Sequence, residues 1–132
     1  MTDETYWTGL GHLLRLLSGK WDGAVLSALA TGPRHWSEVL TAARSHPPPS
    51  VRPDDDPLHL HESVLSRTLS RLEREGLVSR DEEPGIFPKS VTYRLTAKAE
   101  SLLALLTPAI EWASDLSEQA RLPIGSAAVA AR

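Results

Sequence analysis

Between Glu62 and Glu75 the chain places Ser63, Ser66, Arg67, Ser70, Arg71 and Arg74 three or four residues apart, with Leu65, Leu69 and Leu72 set among them. Hydroxyls and guanidinium groups in that pattern suit one kind of chemistry, the hydrogen bonding of phosphates and base edges. At a helical advance of about 100° per residue the three leucines share a narrow arc, and the serines and arginines fall on the opposite side. Serine is small enough to let a helix approach a groove closely. Arg67 and Arg71, one turn apart, are within reach of base edges or phosphates, and Arg74 near the helix end suits backbone contact. A helix of this width fits the major groove of B-DNA. An ordinary solvated helix, with Glu73 and Glu75 interleaved among the arginines, shows the same face. The helix alone slightly favours that plainer reading.

The segment after the helix changes the balance. Gly76 is a stop, Leu77–Glu82 reads as a strand, and Glu83–Ser90 as a loop with Pro88-Lys89 at its tip. Val91–Leu95 alternates strictly, with Val91, Tyr93 and Leu95 inward and Thr92 and Arg94 outward. Helix, glycine and two-stranded hairpin form the order of parts of a winged helix-turn-helix, in which the hairpin lies beside the groove-binding helix. Lys89 and Arg94 are then candidates for the sugar-phosphate backbone or the minor groove, and Arg34 and Lys20 are weaker phosphate candidates. Glu82-Glu83 argue against a long basic wing.

The remaining elements must position this unit. Thr5–Leu17 has Tyr6, Leu10, Leu13, Leu14 and Leu17 at helical spacing and stops at Ser18-Gly19. Trp21–Ala30 is expected as a helix with Trp21, Val25, Leu26 and Leu29 inward. After the Thr31-Gly32-Pro33 turn, a helix is expected over His35–Ala43, with Ser37-Glu38 in its first turn. Residues 45–60, rich in proline and acid, read as an exposed insertion. Thr96 should cap a long helix reaching about Arg121, with Pro108 as a kink or break, and residues 123–132 read as a frayed tail.

Composition narrows the function classes. The 132 residues suffice for one domain with a real core. No apolar run is long enough to span a membrane, since Arg15, Glu111 and Asp115 interrupt the longest. The acidic start, Met1-Thr2-Asp3-Glu4, lacks a basic leader pattern, so a cytoplasmic location is expected. There is no cysteine, which removes disulfides, thiolate metal sites and thiol redox sensing. Net charge is −3, which Asp54-Asp55-Asp56 alone account for, so the rest of the chain is balanced. Most basic residues are arginine, which suits bidentate contacts to phosphate and guanine but is equally a product of GC-rich coding.

Other constellations carry less. Trp7, Trp21, Trp36 and Trp112 are many for so short a chain. Most of them are expected in the core. Tyr6, Trp7, His12 and Trp112 make a candidate pocket for a flat aromatic or apolar ligand. His46, His59 and His61 near Asp54–Asp56 read as a polar loop rather than a metal site. No phosphate loop or nucleophile motif is present, so neither an enzyme nor a cofactor is expected.

The chain resembles the HxlR-type branch of the MarR-like winged-helix transcriptional regulators. The matching residues are Gly19-Lys20-Trp21, Gly32-Pro33-Arg34-His35-Trp36-Ser37-Glu38, Leu69-Ser70-Arg71-Leu72-Glu73, Gly76-Leu77-Val78 with Arg80, and Pro88 through Thr96. The match runs roughly from Leu10 to Ala113. Trp36 stands where the family usually has phenylalanine, and Leu60-His61 where it usually has Ile-Ser. A common family arginine falls at Thr68. The resemblance puts Trp21, Trp36 and Trp112, though not Trp7, at positions filled by large apolar groups. The resemblance implies a homodimer on a pseudo-palindromic operator, with half-sites about one helical turn, ~10 bp, apart.

The expected fold is therefore mainly α (α+β): a winged helix-turn-helix domain over residues 1–122, with dimerisation helices at 5–17 and 97–121. The apolar stripe Leu102, Leu103, Leu106, Ile110, Ala113 and Leu116 is too wide for one small core. The expected function is that of a homodimeric repressor binding double-stranded DNA, with a small-molecule effector as a candidate partner and no membrane. The alternatives are a winged-helix protein-interaction module without DNA affinity, or a protein that sequesters a small molecule.

Overall fold

In the computed structural model, residues 3–49, 60–85 and 90–121 are described. Helix α1 (Asp3–Leu16) has Asp3 and Glu4 in its first turn and Arg15 in its last, matching the helix dipole at both ends. None of its residues is buried. Helix α2 (Asp22–Ala30) is the opposite case: Ala24, Val25, Leu26, Ala28 and Leu29 are all buried, and the narrow face of Gly23, Ser27 and Ala30 is exposed. Trp21 precedes it and is buried as well.

Strand β1 is short, Arg34–His35, and leads directly into helix α3 (Trp36–Arg44). The turn before β1 needs Gly32, whose φ of +145° suits a residue without Cβ. At the start of α3 the His35 N–H donates to the Glu38 carboxylate at 2.9 Å, satisfying one of the groups that a helix start leaves bare. At its end Arg44 reaches across 16 residues and donates to the Leu60 carbonyl, from Nε at 3.1 Å and Nη2 at 2.8 Å. Leu60, expected in the exposed insertion, is fully buried, because this clamp seats it just ahead of helix α4 (Glu62–Arg74).

Helix α4 buries the expected leucines, Leu65, Leu69 and Leu72. It ends in a Schellman motif. Gly76, at φ +78°, donates its N–H to the Glu73 carbonyl at 3.0 Å, and the Leu77 N–H reaches the Leu72 carbonyl at 2.9 Å. The chain turns at once into strand β2 (Val78–Glu82), which pairs antiparallel with β3 (Val91–Leu95). Tyr93 of β3 is buried; Val91 and Leu95 are only half-buried. Sequence reading anticipated two strands, and the structure adds β1 as a third. The order is β1-β3-β2, with Arg34 opposite Tyr93 and His35 opposite Thr92.

Thr96 joins the hairpin to helix α5 (Ala97–Arg121). Its hydroxyl accepts the Ala99 N–H at 3.1 Å and donates to the Gly76 carbonyl at 2.6 Å. Lys98 Nζ donates to the Glu75 carbonyl at 2.9 Å, so the start of α5 also caps the end of α4. Pro108 lies inside α5 without ending it, so the helix does not break there. A proline removes one hydrogen bond, here to the Ala104 carbonyl, and the flanking turns carry the helix through.

Contacts divide the chain into two units, Met1–Ala99 and Glu100–Arg132. The first holds α1 to α4, the sheet and the buried core. In the second, Leu105, Ile110, Trp112 and Leu116 are exposed. Trp112 is therefore not a core residue of this chain, as the sequence suggested; at 67% exposure it belongs to an uncovered apolar face. No described helix is long and apolar enough to cross a membrane.

Candidate nucleic-acid interface

The buried leucine stripe of α4 fixes which side faces out. Ser63, Ser66, Arg67, Ser70 and Arg74 are exposed, and Arg71 is half-buried. Gly19 joins Ser66, Arg67, Ser70, Arg71 and Arg74 along an open groove of about 560 Å³, whose lining, among the described residues, holds three arginines and no carboxylate. Ser63 is exposed on the first turn of the helix and is not part of that lining. Thr68 is half-buried and donates its hydroxyl to the Val64 carbonyl at 2.8 Å.

The three arginines differ in how they are held. Arg67 only brushes the Ser63 carbonyl, at 3.5 Å from Nε, and Arg74 is exposed near the helix end. Arg71 donates from Nη2 to the carboxylate of Asp22, which is buried at the start of α2. The other carboxylate oxygen accepts the Gly19 N–H at 2.9 Å. Sequence reading missed this pair. The partners lie 49 residues apart, and an aspartate in the first turn of a helix ordinarily reads as a solvated dipole partner.

On the wing, Arg94 Nε meets the Asp81 carboxylate at 2.7 Å, and Arg80 Nη1 meets Glu82 at 2.5 Å. Glu82, and then Tyr93, hold the Arg80 guanidinium above its ordinary pKa. These pairs are open to solvent, and such pairs are worth at most about 1 kcal/mol, so a phosphate can displace the Asp81 carboxylate from Arg94 at small cost. Arg34 is engaged elsewhere: Nε donates to the Ala28 carbonyl at 2.6 Å, at the end of α2. Lys20 is exposed. Lys89 lies outside the described residues.

Of the residues expected to form a ligand pocket, Tyr6, Trp7 and His12 lie on α1 and Trp112 lies on α5. Tyr6 and Trp7 pack edge to face, with ring centroids 4.9 Å apart and planes at 85°. Tyr6 lines an apolar groove of about 460 Å³ on α1 with Thr5, Gly9, Leu10 and Leu13. Trp7 and His12 are exposed outside that lining, and Trp112 is exposed on α5. Of the histidines weighed against a metal site, His46 and His61 are exposed, and His59 lies outside the described residues together with Asp54–Asp56.

Known proteins resemble this chain in sequence and in fold. The family described as HxlR-like helix-turn-helix matches residues 57–121. An HTH-type transcriptional regulator from Methanothermobacter thermautotrophicus is 31% identical over 112 residues, spanning 85% of this chain and 74% of the relative. The HTH-type transcriptional regulator YkvN of Bacillus subtilis is 34% identical over 104 residues, spanning 79% and 75%. Among solved structures, a transcriptional regulator ascribed to the MarR family of Enterococcus faecalis V583 superposes with a TM-score of 0.67 at 24% identity, covering 92% of this chain and 96% of that one. The redox regulator HypR in its reduced form superposes at 0.62 with 22% identity, covering 81% and 91%. At such identities the structures speak to the fold alone, a MarR-like winged helix, whereas the sequence relatives carry the family. This chain belongs to the HxlR-like helix-turn-helix transcriptional regulators.

Proposed function

We propose that the chain is a sequence-specific, homodimeric DNA-binding repressor acting in the cytoplasm. Helix α4 lies in the major groove, and the wing lies on the flanking backbone. The observation that carries this reading is the groove along the outer face of α4, with its arginines and serines and, among the described residues, no acid in its lining. Ser63, Ser66, Arg67, Ser70 and Arg71 face base edges, while Arg74, Arg94 and Lys89 contact the backbone, with Lys20 and Arg34 as lesser phosphate contacts.

Dimerisation is supported by the exposed apolar residues of both terminal helices: Tyr6, Trp7 and Leu14 on α1, and Leu105, Ile110, Trp112 and Leu116 on α5. A 14-residue helix with no buried residue gains little from its own chain. Isolated helices shorter than about 12–15 residues are marginal in water. A second copy covering these faces supplies the missing burial and presents two recognition helices to a pseudo-palindromic operator.

An effector changes DNA affinity only by binding one spacing of the two recognition helices better than another. A small aromatic or apolar compound suits the α1 groove, with Tyr6 in its wall and Trp7 and His12 of the same helix as further candidates. Without cysteine, the signal is not thiol oxidation. If Trp7→Ala leaves binding of every aromatic inducer tested unchanged, Trp7 has no part in it.

A second reading, a winged-helix protein-interaction module, is favoured by the paired wing arginines and by exposed Glu83. Fluorescence anisotropy with duplex DNA from upstream of the protein's own gene separates the two. Binding that weakens steeply with salt, and is lost in Arg67→Ala/Arg74→Ala, is the expected result. No binding to this duplex or to a random-sequence pool overturns the repressor reading in favour of the module.

A further inference from the structure

We propose that Asp22 is a specificity-determining positioning residue: it holds the Arg71 guanidinium at one place in the α4 groove, from which Arg71 reads a guanine in each half-site. The inference rests on the reading of α4 as the DNA-facing helix. Among the described residues Asp22 is the one polar or charged side chain in the buried core. Its carboxylate is divided between two donors, the Gly19 N–H at 2.9 Å and Arg71 Nη2. Arg71 is nevertheless not swallowed: 30% of its side chain is exposed, and it lines the groove. One edge of the guanidinium is thus fixed from below while the rest faces the groove.

Gly19 is the third part of the device. It is not among the glycines with positive φ, which are Gly32, Gly76 and Gly85, so its backbone does not call for glycine. A Cβ at this position would collide with the Asp22 carboxylate and the Arg71 guanidinium. Glycine here clears the space in which the pair meets. Removing a cation from a buried carboxylate is strongly unfavourable, so Arg71 does not leave Asp22 to follow a phosphate, as exposed Arg67 and Arg74 can. A side chain already held in its binding geometry has little freedom left to lose on binding, and arginine's bidentate match is to guanine O6 and N7. Arg71 therefore contributes mainly to choice of sequence, and the mobile arginines mainly to general affinity.

The test is selection from a randomised duplex library by the full chain, comparing wild type with Arg71→Met, Asp22→Asn and Gly19→Ala, with Tm recorded for each. Wild type should select a guanine at one position of each half-site, and Arg71→Met should abolish that preference. Asp22→Asn and Gly19→Ala should lower the same preference about tenfold, within the discrimination a bidentate pair provides, and leave other positions unchanged. A merely structural role would weaken all positions together, and that result overturns the proposal. Guanine preference retained in either tether variant, or in Arg71→Met, also overturns it. If Asp22→Asn and Gly19→Ala do not fold, Arg71→Lys decides, since it keeps a cation beside the buried carboxylate but removes the planar fork that matches guanine; the guanine preference should fall with it, and its retention overturns the proposal. Wild type that binds no duplex overturns the DNA-binding reading as well, whereas wild type that selects a sequence the variants share overturns this inference alone.

Discussion

Leu69 sits at the middle of the buried stripe of α4 with about 1% of its surface exposed, between arginines that face the other way. Truncating it leaves a cavity that the surrounding leucines cannot fill, so Leu69→Ala should lower stability by about 2–5 kcal/mol in urea unfolding. Its effect on DNA should follow the folded fraction only. Leu65, Leu69 and Leu72 were legible in the sequence because a buried helix face repeats with the helical period. Asp22 was not, because its burial is made tolerable by a partner from a distant segment, and no local pattern announces such a pair. Trp112 misled for a related reason. A large apolar side chain reads as core, but which core it joins depends on what covers it, and in the single chain nothing buries it.

The elements show the same division. The three helices around the core and the β2–β3 hairpin were legible from period and punctuation: Gly76 stops α4, and Thr96 starts α5 as a cap. Strand β1 was not legible, since two residues after a proline carry no alternation, and it exists because β3 offers an edge to pair with. The wing sets a prediction at this scale. Its described arginines are both matched by carboxylates, so few phosphates are neutralised there, and the slope of log K against log salt should be shallow for a winged helix. Arg94→Ala should make that slope shallower by about 0.9, the contribution of one phosphate contact on B-DNA. An unchanged slope would mean that Arg94 does not meet the backbone.

For the whole molecule, the exposed apolar residues of α1 and α5 predict an assembly whose stability depends on protein concentration. Wild type should sediment as a dimer, with a Tm that rises on concentration. Trp112→Glu should shift it toward monomer and weaken operator binding far more than it changes the helical signal in circular dichroism. A dimer that persists in this variant would place the contact elsewhere. The clamp from Arg44 to the Leu60 carbonyl has a consequence of a different kind. It ties the end of α3 to the residue two before α4, so a direct contact fixes the approach of the two helices. The entropy of closing a loop grows only slowly, about 0.6 kcal/mol for each doubling of its length. A small tag or fluorescent domain placed between Val51 and Asp56 should therefore leave Tm within a few degrees and operator affinity unchanged, making this chain open to splicing at its centre.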